Sequence, residues 1–224
     1  MVGDRPGALA TWEQALILFE WLDVSLEQVR VQCNLCVSYR EAARWERAIE
    51  SGMWASGRAR ELGEPRYEAM AAGNLGDVYM TQGSWREAQR WFRRAGNLAN
   101  EHGYEDEQTE LARRRAELAV LLRDPSATAL TEHAFTLASD SDSPVEAGRS
   151  RALLAFCQAR AGRLEALDAA VEAAVEPLKQ AGAGHELAEA RLWISEAYLL
   201  VGRSDEALAD ATRALVFADE VGQV

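Results

Sequence analysis

Asn74-Leu75-Gly76-Asp77-Val78-Tyr79-Met80-Thr81-Gln82-Gly83-Ser84-Trp85-Arg86-Glu87-Ala88-Gln89-Arg90-Trp91-Phe92-Arg93-Arg94-Ala95 holds two helical patterns on either side of one turn signal. Before the turn, apolar Leu75 and small Gly76 stand three residues ahead of the aromatic Tyr79. Small residues let two helices approach, and an aromatic fills the gap beside them. Gly83 suits the left-handed residue that ends a helix. Beyond it, Ala88, Phe92 and Ala95 follow a 4-then-3 spacing, which is one helical face. The stretch predicts a helix hairpin.

The hairpin recurs along the chain. Turn-like segments at Gly3-Asp4-Arg5, Ala43-Arg44-Trp45, Gly83-Ser84-Trp85, Arg123-Asp124-Pro125, Gly162-Arg163-Leu164 and Gly202-Arg203-Ser204 stand 40, 40, 40, 39 and 40 residues apart. Asn34-Leu35-Cys36 with Tyr39, and Trp193-Ile194-Ser195 with Tyr198, repeat the first half of the pattern. Ala8, Trp12 and Ala15, together with Ala48 and Ala207, repeat the second. Ser25 with Gln28, Ser84 with Glu87, and Ser143 with Glu146 behind Pro144 predict helix starts with capping boxes. Gly63, Gly103, Gly162, Gly202 and Gly222 join Gly83 as predicted helix ends.

On these residues the chain resembles the tetratricopeptide repeat, whose consensus sets Leu, Gly, Tyr, Gly, Ala, Phe and Ala at the intervals found in residues 74–95. The 40-residue period exceeds the 34 of the common form and is similar to the repeats of kinesin light chains and of large bacterial regulators such as the maltose-regulon activator family. The resemblance implies an all-α, right-handed superhelical solenoid of antiparallel helix pairs. It divides the chain into a half repeat over 1–28 and repeats over 29–68, 69–108, 109–147, 148–187 and 188–224, a single solenoid expected to be a segment of a larger protein.

In this family the first helix of each pair lines a concave groove, through positions 2, 5, 9 and 12 of the repeat. Carried onto this chain, the resemblance places Arg30, Val37 and Arg40, then Met70 and Asp77, then Arg113 and Glu117, then Arg149 and Phe156, then Leu192 and Glu196 among the groove residues. Asn34 and Asn74 fall at position 6 of successive repeats, where similar proteins use asparagine to hold a peptide backbone. Each could equally hydrogen-bond a neighbouring helix. The basic run Arg113-Arg114-Arg115, with Arg149 and Arg160, could grip a ligand carboxylate or pair with Glu110 and Glu117 on its own helix. The carboxylate clamp of chaperone-binding relatives is mostly missing, since only Asn74 and Arg114 agree with it.

Composition narrows the function. The 224 residues are 48% apolar and 27% charged with five prolines, the profile of a folded helical chain. No apolar run approaches a membrane span, and the N-terminus carries no secretion signal. A net charge of −12 disfavours direct nucleic-acid binding. Three cysteines imply no disulfide framework and a cytoplasmic setting. Cys33-x-x-Cys36 has ligand spacing but no second pair, so packing is expected, with no metal and no cofactor. His102, His133 and His185 lie far apart, and no nucleophile–base set, phosphate loop or zinc-protease motif occurs.

Trp45 and Trp85 share a position suited to packing between helices, whereas Trp54 and Trp91 fall off the alanine stripe and would mark a convex partner surface if exposed. The expected function is a non-catalytic interaction module that binds a peptide or helix of a protein partner in its groove. The alternative is a ligand- or peptide-sensing domain of a bacterial signalling or transcription regulator. The sequence leaves the oligomeric state open.

Overall fold

A computed structural model describes residues 5–163 and 166–220, with side chains described for 7–163 and 166–217. Gly3, Asp4, Leu164 and Gly222, named above as turn residues, lie outside the described residues. Among the described residues the chain forms eleven helices and no strand. They are α1 (Arg5–Trp21), α2 (Ser25–Glu41), α3 (Trp45–Leu62), α4 (Pro65–Thr81), α5 (Trp85–His102), α6 (Glu105–Leu121), α7 (Ala127–Asp140), α8 (Pro144–Arg160), α9 (Leu167–Gln180), α10 (Gly184–Leu200) and α11 (Ser204–Glu220).

One backbone event sets this rhythm. Positive φ occurs at Asp23, Ala43, Gly63, Gly83, Gly103, Arg123, Asp142, Gly162, Gly182 and Gly202, a left-handed residue every 19 or 20 positions. After α3, the Gly63 N–H donates to the Arg60 carbonyl at 3.1 Å and the Glu64 N–H to the Ala59 carbonyl at 2.9 Å. The same closure follows α2, where Ala43 donates to Arg40 at 3.0 Å and Arg44 to Tyr39 at 2.8 Å. Such a turn satisfies the last carbonyls of a helix and reverses the chain in three residues. Consecutive helices within each unit, such as α2 with α3, α4 with α5 and α10 with α11, therefore pair antiparallel.

The expected capping boxes do not form. Ser84 and Ser143 precede α5 and α8, but neither side chain makes a capping hydrogen bond, and Ser25 lies inside α2 behind Val24. The cause is the shortness of the link. Ser84 must also close the preceding helix by donating to Tyr79 at 2.8 Å, which leaves its ψ at 63°, away from the extended backbone of a side-chain cap. Gln28 instead donates to the Phe19 carbonyl at 2.9 Å, and Glu146 turns to two arginines.

The helices gather into two compact units, Met1–Leu111 and Ala112–Val224, with the division falling inside α6. In the first unit, Val31, Leu35, Cys36, Tyr39, Ala48 and Val78 form one buried cluster, and Val29, Cys33, Ala55, Ala59 and Ala71 another. In the second, Ala152, Leu153, Ala174, Leu178, Ile194 and Tyr198 belong to a continuous core. Small residues set the helix separation in both. A Cβ on Gly76 would fall 2.4 Å from the Phe92 ring, and one on Gly148 would fall 2.8 Å from the Ala174 carbonyl oxygen. Trp45 packs into the first unit's core as expected, whereas Trp85 is 37% exposed.

Two predictions follow from this geometry. Ala43→Gly and Arg123→Gly remove left-handed strain and should each raise the urea-denaturation free energy by ~0.5–1 kcal/mol, despite the greater entropy of the unfolded chain. Gly148→Ala drives a methyl into a backbone oxygen that cannot step aside, and should lower it by ~1–3 kcal/mol.

Candidate site on the first-helix walls

Within each unit, the first helices of successive pairs lie side by side, as α2 packs on α4 and α8 on α10. In the first unit, Arg40 Nη1 reaches Asp77 Oδ2 at 3.1 Å, tying α2 to α4. The Asn74 amide donates to the Cys33 carbonyl at 3.2 Å, so it is engaged with the neighbouring helix. Asn34 is half-buried and its side chain makes no hydrogen bond among the described residues, while Val37 is half-buried and Met70 is 39% exposed. Arg30 is exposed and pairs with Glu27 at 2.9 Å.

The second unit carries an ion-pair ladder. Arg113, only 6% exposed, donates to Glu146 of α8 at 2.7 Å and to Glu117 of its own helix at 2.9 Å. Glu146 also accepts from Arg149 at 2.9 Å, and Arg149 reaches Glu189 of α10 at 2.6 Å. His185 stands 3.3 Å from Glu189. The cavity bordered by Arg113, Glu117, Arg149, Leu153, Glu189, Ala190 and Trp193 measures only about 10 Å³, room for about one water. Of the two readings of the arginine run, Arg113 shows the pairing within its own helix, with Glu117, and adds a pair with Glu146 of the next helix pair, beside Arg149.

Arg160 lies elsewhere, at the end of α8, with Nη1 3.5 Å from the Val120 carbonyl and its guanidinium 5.4 Å from the Phe156 ring centre. Phe156 is buried and packs against Trp193 at 5.3 Å. On α10, Leu192 is 54% exposed, and Glu196 is exposed with no ion pair among the described residues.

Burial opposes ionisation of Glu146, yet the Arg113 and Arg149 guanidiniums outweigh it and hold the carboxyl below the ordinary range. For Glu189, burial is likewise overcome, by the hydrogen bond from His185 and the charge of Arg149. Cys33, Cys36 and Cys157 are free and buried, and burial pushes the Cys33 thiol up to about 12. Among the described residues no group of three or more His, Cys, Asp or Glu could hold a metal ion, and no helix is long and apolar enough to cross a membrane. Of the two tryptophans off the stripe, Trp54 is 39% exposed and Trp91 is half-buried beside Arg94, 5.8 Å from its ring centre.

The ladder is what sequence reasoning missed. Its signal was present in part as opposite charges about one period apart, Arg149 with Glu189, Arg66 with Glu107 at 2.6 Å and Arg40 with Asp77, whereas Arg113 and Glu146 are 33 residues apart and carry no such signal.

No protein-family model and no curated protein matches the sequence. Solved structures do. BtubC (BKLC) from P. vanneervenii aligns with a TM-score of 0.70 at 16% identity, covering 98% of this chain and 93% of that one. A Rap protein complexed with competence and sporulation factor aligns at 0.81 and 14% identity, and the apo form of RapI at 0.79 and 13%, each over 98% of this chain. The alignments cover 60% and 79% of those two Rap chains. The fold is thus all-α, a solenoid built from repeated helix pairs.

The lowered carboxyls stabilise the fold above the unfolded carboxylate value of 4.5, and that contribution is lost as pH falls through their lower folded values. Glu146→Gln removes one of the two carboxylates that hold buried Arg113 and leaves Glu117 as the other, and should cost ~1.5–3 kcal/mol at pH 7 in urea denaturation. The variant should also lose less stability than wild type between pH 5 and pH 3 (~2.303RT per proton per pH unit).

Proposed function

We propose that the chain is a non-catalytic protein-interaction module of the tetratricopeptide type, which holds a peptide or helix of a partner on its first-helix walls. The observation that carries this reading is the similarity of the whole described fold to a Rap protein solved in complex with competence and sporulation factor. The period of the left-handed residues and the small-against-aromatic contact of Gly76 with Phe92 support the repeat type.

The walls suit side-chain recognition. Their arginines and carboxylates largely pair with one another, which leaves Asn34, Val37 and Met70 in the first unit, and Leu192 and Glu196 in the second, as the groups offered to a ligand. An amide that can donate and accept at once, beside apolar side chains, fits an extended or helical peptide better than a small polar metabolite. The same complex favours the second reading, a peptide-sensing domain of a bacterial regulator.

Peptide-phage selection on the intact protein supplies ligands for the test. Selected peptides should bind Asn34→Ala with Met70→Ala at least tenfold more weakly than wild type by isothermal titration, and bind Arg86→Ala as wild type does. Equal binding to all three proteins would overturn the wall assignment.

A further inference from the structure

The second helices carry a feature that neither the walls nor the core uses. In a chain of net charge −12, α5 presents Arg90, Arg93, Arg94 and Asn97 along a cleft of about 320 Å³, with Glu68 at its floor and Leu98 and Glu101 at its far end. Positions 90, 94, 97 and 101 form a single stripe at helical spacing, so these side chains share one face.

The arginines differ in what holds them. Glu68, 8% exposed at its side chain, takes both Arg60 of α3 at 3.3 Å and Arg94. Two guanidiniums on one carboxylate leave a positive charge in excess, and they fix the Arg94 plane near the Trp91 ring. Arg90 is steadied by Glu87 at 3.1 Å while its side chain stays 68% exposed. Arg93 is exposed and has no ion-pair partner among the described residues. Glu101 lies seven residues beyond Arg94, about 10 Å along the axis, so its charge at the far end does not pair with the three arginines. The three guanidiniums present spare N–H donors at a site that is already ordered. Guanidinium forks grip carboxylates in paired hydrogen bonds, and preordering reduces the entropy lost on binding.

We propose that this cleft on α5 is a second docking site, for an acidic peptide segment whose Asp or Glu side chains lie against Arg90, Arg93 and Arg94. It stands apart from the first-helix wall of α2 and α4 and does not depend on the function proposed for that wall. The segment's carboxylates replace water on Arg93 and complete the charge balance left open above Glu68. Net charge alone would point to a basic partner everywhere on this chain; the cleft reverses that sign locally.

The test uses the full chain, an acetylated hexaglutamate amide and inorganic phosphate as separate probes, and fluorescence anisotropy or isothermal titration at low and physiological salt. Arg93→Gln removes an exposed charge without touching the core, and Arg115→Gln, exposed on α6, is the charge-matched control. The peptide should bind wild type and Arg115→Gln within twofold of each other, and Arg93→Gln at least tenfold more weakly. Equal weakening by both variants would reveal only general electrostatics and overturn the site. So would the absence of peptide binding to wild type at low salt, or Arg93-dependent binding of phosphate with none of the peptide.

Discussion

The structure depends on a backbone constraint: a single left-handed residue closes helix after helix, about twenty positions from the last. Most closures use up the final carbonyls of one helix and launch the next after two or three residues, with longer links after Leu121 and Arg160. Most helices are thereby fixed at 17 or 18 residues, about 25 Å. Within each unit, helices of equal length can then lie side by side with their apolar faces in register, and Gly76 and Gly148 let the neighbouring helices come close. The brevity of the link also explains why the serine caps fail, since one residue cannot both close a helix and cap its successor.

Register has an electrostatic consequence. Once the first helices stack, residues about one period apart become neighbours, and Arg40 meets Asp77, Arg66 meets Glu107, and Arg149 meets Glu189. Many of the charges that look available for a ligand in the sequence are thus spent between helices. Arg113 shows this most clearly. As a member of a basic run it suggests a carboxylate anchor, but it is buried between Glu117 and Glu146 in a space too small for a side chain. On the proposed reading, recognition on the walls falls to amide and apolar groups instead, and Arg93 of α5 is exposed without an ion pair among the described residues.

The period was legible because glycine marks many of the closures. It was harder to see at Ala43, Arg123 and Asp142, where side chains tolerate the left-handed region at a cost and sequence offers no cue to the strain. Helix class and core positions were also legible, since Leu35, Cys36, Ala48, Ala88 and Phe92 are buried as their spacing implies. Groove positions were less so. Asn34 and Asn74 are equivalent in sequence, yet only Asn74 finds the carbonyl of Cys33, because the partner of a side chain depends on the preceding helix and not on its own. Exposure of Trp54 and Trp85 was likewise invisible to spacing alone.

The peptide or helix of the proposed function lies on the first-helix walls, apart from the acidic segment proposed for the α5 cleft. Two methionines report on that difference in the first unit: Met70 on α4 is 39% exposed on the wall, and Met53 on α3 is 49% exposed on a second helix. Labelling the methionine methyls with carbon-13 and titrating a peptide selected on the protein measures both at once. The Met70 methyl resonance should move with the binding curve while that of Met53 stays in place. Movement of Met53 with Met70 unchanged would contradict this placement.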